Sequence, residues 1–340
     1  MPFPRPPFAL WMAASVAALG ALAAWSLTVG RFPVGAPDVF RALGTLFTGH
    51  GSGLAGNAQA VILEVRAPRV AAALGVGAAL AGAGAAFQAL FRNPLVSPDI
   101  LGVSSGCALG AGAAVLMALP LAAVQALAFG GGLAAVAIVV AIAGRVGDRD
   151  PLLTLILTGV VVGSLFGAGI ALLKFVADPY NQLPAITFWL LGSFSGVSAA
   201  DLSVACVPLA IGLVPLVLLR SRIDLLALSE DEARSLGANV RALRGAVIAF
   251  GTLATAAAVA VAGTIGWVGL LVPHAARLLV GAPFARVFPL SLVLGAGFML
   301  AVDTACRSAF AVEIPPGVAT AFVGAPVFIA LLAAAFRRSP

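Results

Sequence analysis

The chain has 340 residues, of which 61% are hydrophobic and 9% charged, with a mean hydropathy of +1.11 and a formal net charge of +6. A soluble domain carries roughly 25% charged residues, so most of this chain cannot face water. The positive balance comes from arginines scattered between apolar runs, which excludes a nucleic-acid patch and matches the positive-inside pattern of a polytopic membrane protein.

The first apolar run, Phe8 to Val29, has two readings. The Ala23-Ala24 region imitates a signal-peptide cleavage site. Against that, only Arg5 stands before the run, among prolines, and the run is long for a signal core, which favours a first membrane span. Hydropathy and helix breakers then predict ten spans, near 8–30, 69–89, 99–119, 121–144, 151–176, 201–220, 242–262, 264–281, 287–305 and 315–336. Leu183 to Phe194 is apolar but too short to cross and reads as a re-entrant or interfacial helix. The tight Ala262-Gly263-Thr264 link leaves the eighth span short. With both termini inside, 13 of the 19 Lys and Arg residues fall on the inner side and 6 (Arg31, Arg41, Arg66, Arg69, Lys174 and Arg307) on the outer. That bias predicts a cytoplasmic N-terminus. The inner set includes Arg5, Arg149, Arg337 and Arg338.

Glu64 to Ala108 is the most informative stretch. Arg66 and Arg69 flank a proline, three residues apart and so on one face of a helical start. An uncharged run follows to Gln88, then the turn Arg92-Asn93-Pro94 and Ser97-Pro98-Asp99. Pro94 stops one helix. Ser97 as N-cap, Pro98 at the first helical position and Asp99 on the positive end of the dipole predict the start of the next. Glycine recurs every fourth residue at Gly102, Gly106 and Gly110 and at Gly159, Gly163 and Gly167, stripes that predict close helix packing within the subunit. Pro208, Pro215 and Pro326 interrupt apolar runs and predict kinks. Cys107, Cys206 and Cys306 are read as small buried hydrophobes, and no cluster has metal-ligand spacing. His274 is read as a packing residue rather than a ligand, and the other histidine, His50, falls on the opposite side.

Residues 222–244 form the one substantial polar island, predicted to be a cytoplasmic loop. Ser229 with Glu232 is a capping box, and Gly237 supplies a stop, so Ser229 to Leu236 reads as a two-turn amphipathic helix. A Walker A motif needs a lysine on the phosphates, and the only lysine is Lys174 in GIALLKFVADP. ATP must therefore be bound elsewhere. An ion-driven secondary transporter usually carries ionisable groups at mid-membrane, and the predicted spans have almost none away from their ends. An intramembrane enzyme is weaker still, because no HExxH, GxSxG or paired-aspartate motif lies in a span.

Several motifs recur in order: RAPR at 66–69, QALFRNPLVSPDILGVSSG from Gln88, SEDEARSLGANV at 229–240 and GTIGWVGLLVPHAARLLVG at 263–281. AVDTACR at 301–307, EIPPGVAT at 313–320 and GAPVF at 324–328 complete the series. Across nearly its whole length the chain resembles the FecCD-type permeases, the membrane subunits of ABC importers for iron-siderophore, haem and cobalamin. The resemblance implies an all-α fold of about ten transmembrane helices with short re-entrant and coupling helices, the type II ABC importer permease fold. Residues 1–340 would form a single permease domain, with 222–244 as the coupling loop within it. It implies no catalytic residue, no metal and no cofactor on this chain, with ATP and Mg held by a partner ATPase present in two copies. Other implied partners are a periplasmic or lipoprotein substrate-binding protein, a second permease copy (a homodimer rather than a heterodimer) and membrane lipids. The implied location is the bacterial inner membrane, with both termini cytoplasmic.

By the same resemblance, Arg66, Arg69 and Arg307 would face glutamates of the binding protein. The alternative for each is an interfacial arginine snorkelling to the surface. Asp303 and Arg307 are spaced i,i+4 and read as a structural pair, and Glu313 would pair with Arg307 or hold the outer loop. Ser229, Glu232, Ala233, Leu236 and Gly237 would form the coupling helix in a groove of the ATPase. Gln88, Asn93, Pro94, Pro98, Pro273, His274 and Arg277 would form a motif on the cytoplasmic side. Iron-siderophore is the leading cargo, with haem, cobalamin or an oxyanion such as molybdate as alternatives.

Overall fold

The computed structural model describes residues 7–48, 56–146, 151–309 and 311–336. Arg5, His50, Arg149, Arg337 and Arg338 lie outside the described residues. The described residues are helical with no strand. In chain order the helices are α1 (Phe8–Thr28), α2 (Ala36–Thr48), α3 (Gly56–Ala60), α4 (Ala67–Leu90), α5 (Val103–Leu116), α6 (Leu121–Val146) and α7 (Pro151–Val176). Then follow α8 (Gln182–Leu191), α9 (Ala199–Leu218), α10 (Arg220–Ile223), α11 (Glu230–Ser235), α12 (Val240–Ala262), α13 (Val268–Val280), α14 (Phe284–Ser308) and α15 (Pro316–Phe336).

Among the described residues, seven helical stretches are long and apolar enough to cross a bilayer by themselves: those at Phe8–Thr28, Asn57–Leu90, Leu121–Val146, Pro151–Val176, Ala199–Leu218, Val240–Ala262 and Phe284–Ser308. The remaining three predicted spans contain α5, α13 and α15. The 14 residues of α5 rise about 21 Å, short of a hydrocarbon core of about 30 Å. The turn that precedes it makes up part of the difference.

The helix carrying Arg66 and Arg69 begins at residue 56 rather than 69, so both arginines lie inside it. Between α3 and α4 the chain makes a π-helical stretch, Val61–Arg66, and the Ala67 N–H reaches back to the Ile62 carbonyl. Pro68 accounts for this widening: it has no N–H to donate, and its ring crowds the carbonyl four residues back, so α-helical bonding cannot run through it unchanged. The third predicted span is also corrected. Pro98–Leu101 is a 3-10 turn, Gly102 takes φ +77°, and α5 starts only at Val103. The Ser97 side chain caps nothing; the Asp99 carboxylate instead accepts from the Ser104 hydroxyl at the start of α5. The eighth predicted span loses its first residues, because 263–267 are not helical and Trp267 sits at φ +72°.

Helix α4 is the axis of the bundle. The apolar window of its stretch is 78% buried, against 11% for α7 and 0% for α1. Alanine and glycine make up most of α4, so neighbours approach to backbone distance. A Cβ at Gly77 would lie 2.2 Å from the Gly295 carbonyl oxygen on α14, and one at Gly295 would lie 2.4 Å from the Gly77 oxygen. Gly106 and Gly110 similarly let α5 touch the backbone of α6 at Gly131 and Leu127. The second predicted stripe holds only in part: Gly159 packs on the Ile100 carbonyl, whereas nothing lies within 4 Å of a Cβ at Gly167. Cys107 and Cys306 are buried, but Cys206 is exposed on α9 beside exposed Val204 and Val207, so it is no core residue of this chain.

Gly77→Ala should lower stability by ~1–3 kcal/mol, because the added methyl must push α4 and α14 apart. Gly20→Ala, where a Cβ meets nothing within 4 Å, should be neutral or slightly stabilising. Thermal unfolding of both purified variants in the same detergent checks this.

Candidate functional site

Two polar constellations stand at opposite ends of the bundle. At the first end, three arginines close the space between α1, α4, α14 and the start of α15. Arg66, only 5% exposed, donates through Nη1 to the carbonyls of Leu27 (2.7 Å) and Thr28 (3.0 Å) and through Nη2 to that of Phe32 (2.5 Å). Arg307 donates to the carbonyls of Ser26 and Val29 and to the Ser26 hydroxyl, which also bonds Thr304 at 2.8 Å. Apart from Phe32, in the loop that follows, these carbonyls belong to the last turn and C-cap of α1, where no intrahelical donor remains and the helix dipole is negative. Two cations thus anchor a helix that has almost no buried face of its own.

Arg69 supplies the third closure. Its Nε and Nη2 grip the Asp303 carboxylate at 2.7–3.1 Å, and Nη2 also donates to Glu313 at 2.5 Å. Asp303 is fully buried, and Arg307 Nε approaches it at 3.5 Å. The i,i+4 pairing of Asp303 with Arg307 therefore exists, but Arg69 is the closer partner of Asp303. Glu313 pairs with Arg69 rather than Arg307. The sequence places Arg69 and Asp303 234 residues apart, and nothing local announces their contact.

At the other end, α11 is fixed at both termini. The Ser229 hydroxyl accepts from the Glu232 N–H (3.3 Å) while the Glu232 carboxylate accepts from the Ser229 N–H (2.9 Å) and hydroxyl (2.7 Å). These bonds from Ser229 hold the exposed Glu232 carboxyl below its usual range. The C-terminus closes as a Schellman motif, with Gly237 at φ +78°, its N–H on Arg234, and the Ala238 N–H on Ala233. Ala233 is buried, whereas Leu236 is 63% exposed, an apolar side chain presented outward from a rigid turn. Glu230 bridges to Arg234 within the helix and to Arg244 on α12.

Beside α11 lies the turn after α4. Pro273, inside α13, cannot donate to the Gly269 carbonyl four residues back. The buried Gln88 amide approaches that oxygen at 3.4 Å and the Leu270 carbonyl at 3.2 Å, and Gln88 Oε1 accepts from Arg277 at 2.9 Å. Pro98 packs on Gly269, so Gln88, Pro98, Pro273 and Arg277 form one assembly. Asn93 closes its own turn by accepting from the Leu95 N–H, and the exposed Pro94 shares a cavity of about 270 Å³ with Gln88 and Arg277. His274 is half-buried on α13, outside these bonds.

Two further residues tie the loop to the bundle, both through partners remote in sequence. Arg92, at φ +50°, donates from Nε to the Leu226 carbonyl (2.6 Å) and from Nη2 to the Leu228 carbonyl. The Asp224 carboxylate accepts the N–H groups of Phe284 (2.5 Å) and Ala285 (3.1 Å) at the start of α14. Two cavities open along the bundle. One, of about 700 Å³, is lined by Asp99, Ser104, Thr264, Trp267 and Phe322 among others. The other, of about 470 Å³, is lined by Gln125, Trp189, Asp201 and Glu313 among others. Among the described residues no group of three or more His, Cys, Asp or Glu is placed to hold a metal ion.

Asp303→Ala should cost roughly 3–5 kcal/mol, because it strands the part-buried Arg69 and Arg307 without their shared anion. Glu313→Gln, at a side chain one-third exposed, should cost less than about 1 kcal/mol. Thermal unfolding of the two variants in lipid–detergent micelles measures the difference.

The family profile described as the FecCD transport family matches residues 18–334. A probable iron chelatin transport system permease protein of Helicobacter pylori is 43% identical over 272 residues, covering 80% of this chain and 82% of that protein. The molybdate import system permease protein MolB of Haemophilus influenzae is 38% identical over 305 residues, covering 89% of each. A solved structure described as an inward-facing conformation of a metal-chelate type ABC transporter superposes with a TM-score of 0.85 at 36% identity, covering 95% of this chain and 98% of that one. With nearly its whole length matched, the chain belongs to the FecCD family of ABC transporter permeases.

Proposed function

We propose that the chain is the membrane subunit of an ATP-driven importer that receives a metal chelate, iron-siderophore foremost, from a substrate-binding protein. The observation that carries this reading is α11: a short helix capped at both ends, fixed to α12 and presenting Leu236 outward from the largest polar loop. Such a rigid projection suits the groove of a separate ATPase, and the chain's sole lysine, Lys174, lies in the last turn of the apolar helix α7 rather than in a glycine-rich phosphate-binding sequence. Two ATPase copies, carrying ATP and Mg, would serve two permease copies. The exposed apolar side chains of α7, such as Leu157, Val161 and Leu165, are available to lipid or to that second copy. The α11 end would face the cytoplasm of a bacterium, both termini with it. The arginine end would face outward and dock the binding protein, with Arg66, Arg69 and Arg307 holding the docking face in shape.

The cavities bear on the cargo. Their ionisable lining groups are Asp99 in one and Asp201 and Glu313 in the other, all carboxylates. Glu313 is already paired with Arg69, which leaves Asp99 in one cavity and Asp201 in the other to act on cargo; a carboxylate in each disfavours a small oxyanion and tolerates a neutral or cationic chelate. The relative named for molybdate, similar over 89% of the chain, keeps the oxyanion as the second reading.

In proteoliposomes the chain alone should be inert, even under an imposed proton or sodium gradient. Uptake of a ferric siderophore should require the ATPase with ATP on one side and the binding protein on the other. Gradient-driven accumulation by this chain alone would overturn the reading, and uptake of molybdate in place of the chelate would select the second cargo.

A further inference from the structure

Resting on α11 as the coupling helix, we propose that Arg92 and Asp224 are positioning residues that clamp the coupling loop to the α4–α14 pair, so that a displacement of α11 moves these two helices as one body. The 3-10 turn Asp224–Ala227 runs directly into Leu228 and Ser229, the N-cap of α11. Its first residue holds α14: both Asp224 carboxylate oxygens are taken by the N–H groups of Phe284 and Ala285. Its far end holds α4: the Leu226 and Leu228 carbonyls are taken by the forked guanidinium of Arg92, two residues beyond α4. Bonds with one ionised partner are the stronger kind, and a guanidinium fork fixes direction as well as distance. Ile223 and Leu226 are buried in the same apolar cluster as Phe87, Leu90, Phe284 and Phe288, so the turn is packed as well as bonded.

The two helices that the turn holds are themselves locked together. Gly77 and Gly295 put backbone on backbone, and Arg69 grips Asp303 at the opposite end. A pair closed in this way at its middle and at one end has little freedom to shear, because packed interiors are not continuously deformable. Force on α11 thus enters at the loop end of the pair and emerges at the arginine end. There Arg69 also holds Glu313, which lines the cavity bounded by Asp201 and Trp189. The clamp joins the surface where ATP energy would arrive to the mouth where cargo would enter.

The test uses the complete transporter in proteoliposomes: this chain, its ATPase and the binding protein as purified. Basal ATPase activity reports assembly, and its stimulation by the binding protein reports coupling. A cysteine at exposed Leu95, on a background without Cys107, Cys206 and Cys306, reports movement through its maleimide labelling rate with and without a non-hydrolysable ATP analogue. Arg92→Gln combined with Asp224→Asn should assemble with basal ATPase near that of the unaltered complex. It should lose stimulation by at least about fivefold and remove the nucleotide dependence of labelling. A merely structural role would lower basal activity and stability together and leave the ratio intact. Gly237→Val, which strains the φ +78° stop of α11, probes the coupling helix separately. If Gly237→Val uncouples while the double variant keeps full stimulation, the clamp is refuted and the coupling helix stands. If both keep full stimulation, the coupling reading itself falls. Should the double variant fail to assemble, Arg92→Lys, which keeps the charge but lacks the fork to span two carbonyls, is read by the same outcomes.

Discussion

The architecture depends on the contact between α4 and α14, where two glycines allow carbonyl oxygens to sit where side chains would otherwise stand. In lipid no hydrophobic force draws helices together, so close backbone approach and polar bonds must do so. A helix built of alanine and glycine meets that requirement on several sides at once. Gly84 faces Gly269 of α13, Phe87 packs over Gly251 of α12, and Gly77 meets Gly295 of α14. The consequence is a dense inner set of helices, while α1 and α7 lie outside it with their apolar faces free. Bulk at these positions would separate the very elements that carry the two polar ends.

Charge then organises those ends. Arg66 and Arg307 neutralise the last turn of α1, and Arg69 joins α4 to α14 and to the α14–α15 connection through two carboxylates. A buried ion pair is not in itself strongly stabilising, since desolvation offsets much of the attraction. What it supplies is a fixed arrangement: breaking any one partner strands another. At the opposite end, hydrogen bonds to backbone perform the same task, with Arg92, Asp224 and Gln88 each supplying groups that a turn or a proline left unpaired.

Much of the helical plan follows from sequence patterns alone. The long apolar runs became α6, α7, α9, α12 and α14 with ends shifted by a few residues, and the capping box and glycine stop of α11 appear as read. What failed did so for local reasons. Helix α2 and the first turns of the Asn57–Leu90 stretch, before the predicted start at 69, were hidden because 31–68 mixes polar residues, glycine and proline, which weakens any periodic signal. Ser97-Pro98-Asp99 carries every mark of a helix start, yet Gly102 at positive φ resets the chain four residues later. The roles of the arginines depend on carbonyls of α1 and on Asp303, partners distant in sequence. Gln88 was named in the cytoplasmic-side motif by resemblance, and its bonding role was legible too: a proline inside an apolar helix leaves a carbonyl four residues back without a donor, and a lone amide in a neighbouring apolar helix is its natural complement.

If the clamp transmits force as proposed, α4 and α14 move as one body relative to the outer helices when the partner ATPase binds nucleotide. Pulsed electron paramagnetic resonance distances in the reconstituted complex test this most directly. Spin labels at Leu95 and Arg286 would span the pair at its loop end, and labels at Arg286 and Val161 would span from α14 to α7. The account predicts that the first distance is unchanged between nucleotide-free and ATP-bound states while the second shifts. A change in the first distance as large as that in the second would contradict it.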